Sequence, residues 1–512
     1  MSTLKIPKDT TPLHLAVNTS IAKILMWNSA DFRARAENGK TVLHTIAEAD
    51  VFFNSKYKGL PDLVNFFIQG GIDVNAVDGE GNTPLHICCK TNNMIVASSL
   101  LENGADRNAI NNCNLRPIEC GRGMSSSMLK SVDKLFSAIE NNESIEEIRR
   151  LICSIQTINV VKDDSKFTPL HCAVQLNRKK IVKFILEANW PIRTGGTFKN
   201  RNKFIDGILK KVKVNALCKD HWTPLHYASR GGDFTIVSWL LKSGAAHNAK
   251  TYDGHLPSEF AENCAVRQLL TMVNELFEAV RKGNLERVVE YISKEESIMN
   301  AVESDGRNLL HYSIENDRRD VATFLLESGI DVTQSASDGS TVLHLAVSKS
   351  DEELVNAVLN RANNTSGLNS LINAKKLDGI TALHIAAKSG SSVITKTLLK
   401  NGAAFDVQNK NNLKPVDLSA NEAVTCFLML VEEVFKFAEE KGEEIPKRLE
   451  TVNADDFYIL SKVCNSYGHT LADIINLNES GSVVKSYLIY GHQKKKTFFA
   501  ESMPKFSEHE LR

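Results

Sequence analysis

Apolar and polar positions along the chain fall into two short helical registers that return together. A Thr-Pro-Leu-His phrase opens one apolar stretch, and a second comes after it with apolar residues at three- and four-residue steps, as in Ile236-Val237-Ser238-Trp239-Leu240-Leu241. That spacing predicts an amphipathic helix. Ahead of it, Thr223 offers a capping hydroxyl, Pro224 suits a first helical turn where its missing N–H has no partner anyway, and Leu225 faces inward. Gly244 stands where a left-handed residue ends the second helix, and Asp253-Gly254 is a tight-turn pair. Each such unit leaves an apolar face that only another unit covers.

The phrase returns. It is complete or nearly so at Thr11–His14, Thr41–His44, Thr83–His86, Thr168–His171, Thr223–His226, Thr341–His344 and Thr381–His384, with Asn308–His311 a variant. Three echoes carry an acid in place of histidine: Glu119, Glu259 and Asp417. From Thr83 to Arg116, Thr223 to Leu256, Asn308 to Thr341 and Thr381 to Lys414 the step is 33 residues each time. With this phrase and period the chain resembles the ankyrin-repeat family from about residue 9 to about residue 431, and less clearly to about residue 490. The resemblance implies an all-α repeat protein, a solenoid of paired antiparallel helices joined by β-hairpin-like loops, with partners bound on a concave face of loop tips and first helices.

A larger unit is also visible. Each acid-bearing echo is followed by a helix of one kind, containing Leu135-Phe136, Leu276-Phe277 or Val434-Phe435. We therefore expect ankyrin blocks over 1–131, 132–272 and 273–431, and a degenerate repeat or cap with a tail over 432–512. The period is stretched near 54–59, near 194–213 and near 363–369, where a repeat protein carries its peculiarities.

Composition narrows the rest. The 512 residues are 42% hydrophobic with zero formal charge, so no global field draws the molecule to nucleic acid or lipid. Ten cysteines without regular spacing read as reduced thiols in a packed interior. Eight of the fourteen histidines belong to the tetrads, and a catalytic residue is not expected once in every repeat; they read as buried, hydrogen-bonded structural rings. No phosphate-loop, nucleophile-elbow, HExxH or kinase-like motif occurs, so no enzyme, cofactor or metal is expected.

The expected function is a non-catalytic scaffold or adaptor for a protein partner. Candidate contacts are Lys219, His221, Trp222, Lys250, Tyr252 and Lys376, at or beside the loop tips, with the aromatics as anchors; Trp222 equally fits a role lying over the next tip. The insertion near 194–213 is a second candidate. Its Lys199, Arg201, Lys203, Lys210, Lys211 and Lys213, with Arg193, face one acid, Asp206, and Phe204, Ile205, Ile208, Leu209 and Val212 recur at helical spacing. It suits anionic membrane or nucleic acid, or simply packs its apolar stripe on the repeats. A third alternative makes the carboxyl-terminal region a recruiter for ubiquitin ligation. Asn75 resembles the loop asparagine that asparaginyl hydroxylases modify in some ankyrin proteins. No apolar run of membrane-spanning length and no leader-like amino terminus is found, so a cytoplasmic monomer is expected, with nuclear residence or delivery into a host cytosol as alternatives.

Overall fold

A computed structural model describes residues 11–49, 59–187, 212–439 and 459–470, with short interruptions. The expectations for Lys199, Arg201, Lys203, Lys210 and Lys211, and for the stretch near 54–58, lie outside the described residues. Among the described residues the chain is helical, with isolated β-bridges at loop bases such as Val302 to Asn308 and Ser335 to Thr341. It divides into two compact units, Met1–Thr271 and Met272–Arg512.

In each unit the repeats stack first helix on first helix. In the first, Val42–Glu48 packs on Pro84–Thr91, and Pro169–Gln175 on Pro224–Gly231; in the second, Leu309–Glu315 packs on Val342–Ser348, and that on Ala382–Ser389. The tetrad leucines supply the seam: Leu43, Leu85, Leu225, Leu310 and Leu343 are wholly buried. Second helices such as Met94–Glu102, Phe234–Lys242 and Ser392–Lys400 add a further row, including Leu100, Leu240 and Leu398. Gly244 is left-handed at φ 87, as the sequence predicts, and Gly254 closes its turn by donating to Thr251 over 3.0 Å. Three of the first helices are also capped by a left-handed residue, Asn92, Gly232 or Gly390.

The echoes show what an acid does in the histidine position. Glu119, Glu259 and Asp417 accept the backbone amides of Arg116, Leu256 and Lys414 at 2.8, 3.3 and 2.7 Å. Each echo keeps only a 3-10 turn where a first helix stands elsewhere: Pro117–Glu119, Pro257–Phe260 and Pro415–Leu418. A single long helix comes next, of 17, 19 and 18 residues respectively: Met124–Glu140, Cys264–Lys282 and Glu422–Glu439. The second helix of the echo and the first helix of the next repeat are thus one continuous rod.

The stretch near 363–369 is helix as well as loop. Glu352–Asn364 runs 13 residues, against nine in Phe234–Lys242, and Leu368–Ile372 is an added turn. The cysteines depart from a uniformly interior reading: Cys88, Cys89, Cys172, Cys218 and Cys464 are buried, but Cys113, Cys153, Cys264 and Cys426 are exposed. They occupy helix faces and a loop that no neighbouring element covers.

Candidate functional site

The site is built on the tetrad histidines. In His44, His86, His171, His226, His344 and His384, Nδ1 accepts the backbone amide of its own tetrad threonine at 3.1–3.3 Å. The ring is therefore the Nε2–H tautomer, and Nε2 donates to the carbonyl of the residue that precedes the next repeat's tetrad or echo. His171 thus donates to the Trp222 carbonyl at 3.1 Å, and His226 to the His255 carbonyl at 3.3 Å. Burial holds both rings down at about 4, so both are neutral at physiological pH. The threonine hydroxyl mostly meets the imidazole instead of the helix amide expected from the capping rule, as in Thr223 Oγ1 to His226 Nδ1 at 2.9 Å.

The variant behaves differently. His311 Nδ1 stands 2.7 Å from the Asn308 side-chain oxygen, which also accepts the His311 amide, and 3.3 Å from the Asn308 amide. The shorter contact selects the Nδ1–H tautomer, and buried Nε2 lies toward the Ser340 backbone without a hydrogen bond of ordinary geometry among the described residues.

Holding the Trp222 and His255 carbonyls also holds the backbone that carries the neighbouring rings. Residues just before and four after the tetrad's first position project to the same face in successive repeats, and in three of them these places hold rings. Phe167 packs on Tyr227 at 5.2 Å between centroids, Tyr227 on Trp222 at 4.9 Å, and Trp222 on Phe260 at 4.4 Å. The four rings are half-buried. The Arg230 guanidinium, in the last turn of Pro224–Gly231, lies 5.0 Å from the Trp222 centroid and 5.7 Å from that of Tyr227. The Tyr227 hydroxyl is pushed well above its usual range by burial and by its contact with Cys218 Sγ at 3.7 Å.

The loop tips border this stack and are themselves stitched together. Lys219 donates its amide to the Ser165 carbonyl at 2.9 Å, and Tyr252 donates to the Asp220 carbonyl at 3.1 Å. His221 takes the left-handed conformation, φ 60, and its ring meets Tyr252 edge-on at 6.0 Å. The Tyr252 side chain is 79% exposed, and Lys219 and Lys250 are exposed beside it. Of the six tip residues singled out from sequence, five therefore share this region. Lys376 does not: it lies in the other unit, 3.8 Å from Asp338. Sequence reading missed Phe167, Tyr227 and Phe260, which register alignment of the repeats would have brought into one column pair, and Arg230, which stands seven residues after Thr223 and outside those columns.

Lys213 is the one basic-insertion candidate described. Its amide donates to Asn159 Oδ1 at 2.8 Å, and its ammonium lies 3.7 Å from the buried Glu102 carboxylate, which also accepts from Thr157 at 2.5 Å. Asn75 bridges repeats, accepting from the Asp106 amide at 2.8 Å and donating to the Gly104 carbonyl at 3.3 Å. Among the described residues no group of metal-ligating side chains converges, and no helix is long and apolar enough to cross a membrane.

Family models agree with the geometry. Models described as ankyrin repeats in three copies match residues 276–366 and 343–439, the single ankyrin repeat matches 80–112 and 165–194, and ankyrin repeats in many copies match 200–241. Together they cover more than half of the chain. The chain belongs to the ankyrin-repeat family. Among curated ankyrin proteins it is similar to the human transient receptor potential cation channel subfamily A member 1, at 25% identity over 77% of this chain and 37% of that one. It is also similar to the chicken nuclear factor NF-kappa-B p105 subunit, at 24% identity over 53% of this chain and 24% of that one. A third is mouse Rabankyrin-5, at 28% identity over 30% of this chain and 14% of that protein. The chain spans little more than a third, or less, of the length of these relatives. Shared repeats support a protein-interaction scaffold at the level of class.

Proposed function

We propose that this ankyrin chain is a non-catalytic interaction scaffold whose protein partner lies across the tips and first-helix starts of the repeats headed by Thr168, Thr223 and Leu256. One observation carries the reading: four half-buried rings stacked across repeats with an arginine over two of them, beside an exposed Tyr252. Rigid aromatic groups contribute large contact area at little ordering cost and dominate binding hot spots. Because the stack is already formed in the free chain, little further ordering opposes association.

The test is affinity capture from a cell lysate with the full chain, Tyr252→Ala, Trp222→Ala with Tyr252→Ala, and a chain lacking 194–211. A protein retained by the deletion and lost with the aromatic substitutions, each variant folded by circular dichroism, supports the reading. Retained material that is nucleic acid or lipid, or that disappears with the deletion alone, would place function on the basic insertion instead.

A further inference from the structure

We infer that the Phe167–Tyr227–Trp222–Phe260 stack with Arg230 takes an acidic linear segment of a partner protein, an Asp or Glu carboxylate seating on the Arg230 guanidinium beside an apolar side chain packed on Trp222. The inference rests on the scaffold reading and specifies its ligand.

Arg230 is exposed, and among the described residues no carboxylate or carbonyl accepts from it; its contacts are the two ring faces. An arginine held against aromatic rings by its charge still has N–H donors to offer, and their planar fork matches a carboxylate. The chain itself shows how such an arrangement is completed. Arg281 lies 4.4 Å from the Tyr312 centroid and 5.9 Å from that of Phe277, and there the fork is occupied by Glu303 and Glu278. The Tyr312 hydroxyl also donates to Glu303 at 2.6 Å. Tyr312 and Tyr227 occupy the same position in their repeats, four residues after Asn308 and Thr223. One ring-and-arginine cluster therefore supplies its own carboxylates, and at the other none is found among the described residues.

The surroundings favour an incoming negative charge. Lys166, Lys219 and Lys250 are exposed on the three neighbouring tips, and none is in an ion pair among the described residues. Of the nearby acids, Glu259 is engaged with His255 at 2.6 Å and with the Leu256 amide. Asp220 and Asp253 stand exposed on the tips beside the lysines, and among the described residues neither forms an ion pair with Arg230. An extended segment fits this geometry because the tips offer a row of evenly stepped loops.

The experiment pans a phage library of short random peptides against the full chain and measures enriched peptides by fluorescence anisotropy. Expected are sequences with Asp or Glu next to an aromatic or aliphatic residue. Arg230→Ala should weaken the best peptide about tenfold or more, the loss expected for a charge-assisted hydrogen-bonded pair, and Arg230→Lys should restore only part of it. Added salt should weaken the wild-type complex more than the Arg230→Ala complex. Arg230 makes no hydrogen bond within the described fold, so Arg230→Ala should keep the native circular dichroism spectrum.

Peptides without acidic bias that Arg230→Ala leaves unchanged, but that bind less well to the Trp222→Ala, Tyr252→Ala variant, would overturn the acidic-segment inference and leave the scaffold reading standing. Peptides indifferent to all of these substitutions would sink both. A phosphoserine peptide preferred about tenfold over its glutamate counterpart would replace carboxylate by phosphate and overturn the assignment. Failure to enrich any peptide would overturn the linear-segment proposal, with lysate capture still judging the scaffold.

Discussion

Asn263 donates from its side-chain amide to the Gly232 carbonyl over 2.9 Å, and its Cβ lies 3.3 Å from where a Cβ on Gly232 would stand. Gly232 is the left-handed residue ending a first helix, and Asn263 caps the long helix beyond the echo by accepting the Ala265 amide at 2.9 Å. Gly390 and Asn421 repeat the arrangement, with a 3.2 Å bond. In the first copy the two residue types have changed places: Asn92 is left-handed at φ 59, accepts the Ser125 amide at 3.0 Å, and faces Gly123. A Cβ on Gly123 would lie 2.4 Å from Asn92 Oδ1.

This exchange predicts coupling. Gly123→Asn alone should destabilise by about 1–3 kcal/mol through overpacking, and Asn92→Gly alone by about 1 kcal/mol through its lost hydrogen bond. Together they recreate the Gly232–Asn263 arrangement, so the double variant should be more stable than the sum implies, by about 1 kcal/mol or more. Urea unfolding of the four chains measures this; strictly additive changes would count against the exchange.

The neutral tetrad histidines predict acid sensitivity. Burial lowers the pKa of His14, His44, His86, His344 and His384, and brings His171, His226 and His311 to about 4. An unfolded histidine titrates near about 6.5, so between these values the unfolded chain binds more protons. Stability from this source is fully present above about pH 6.5 and is lost as pH falls toward about 4. For His171 alone the difference corresponds to about 3 kcal/mol. Denaturant midpoints should hold level from about pH 7.5 to 6.5 and fall from there to about 4.5; a profile flat throughout would mean the rings are not held neutral.

Replacing the variant residue should turn a ring over. Asn308→Thr supplies a hydroxyl donor where the amide oxygen now accepts, so His311 should change from the Nδ1–H to the Nε2–H tautomer. Nitrogen-15 shifts of the imidazole, assigned with His311→Gln, report this directly. Since the Asn308 side-chain amide also donates to the Asp331 carbonyl at 2.9 Å, the substitution removes one bond while allowing another, and stability should change little.

Leu225→Ala should cost about 2–5 kcal/mol, because the side chain is wholly buried between successive first helices and its removal leaves a cavity. A chemical melt unchanged from wild type would contradict the packing of the tetrad.

The period, the tetrad leucines, the left-handed Gly244 and the turn at Asp253-Gly254 were legible in the chain because each obeys local rules: helical spacing, backbone sterics, capping. The fused helices were half legible, since the Leu135-Phe136 and Leu276-Phe277 segments marked a second kind of helix without showing that it continues the one before. The ring stack was not legible residue by residue. Phe167 and Trp222 are 55 positions apart, and only the stacking of repeats brings them together. Arg230 reads as one more surface charge in the sequence, because nothing local places Trp222 and Tyr227 beneath it.

The histidine bonds also have a direction. The Nε2–H of His44, His86, His171, His226, His344 and His384 reaches forward to the next repeat, while the loop amides of Lys219 and Tyr252 reach back to the preceding one. Ending the chain just after a tetrad repeat such as that of His226 would strip a buried donor of its acceptor, His255. An acid in the same place asks nothing of the next repeat: Glu119, Glu259 and Asp417 direct their oxygens to amides of their own turn. Fragments trimmed beyond an echo and its long helix therefore leave no imidazole stranded, and these are the places at which the protein can be shortened with the least chemical debt.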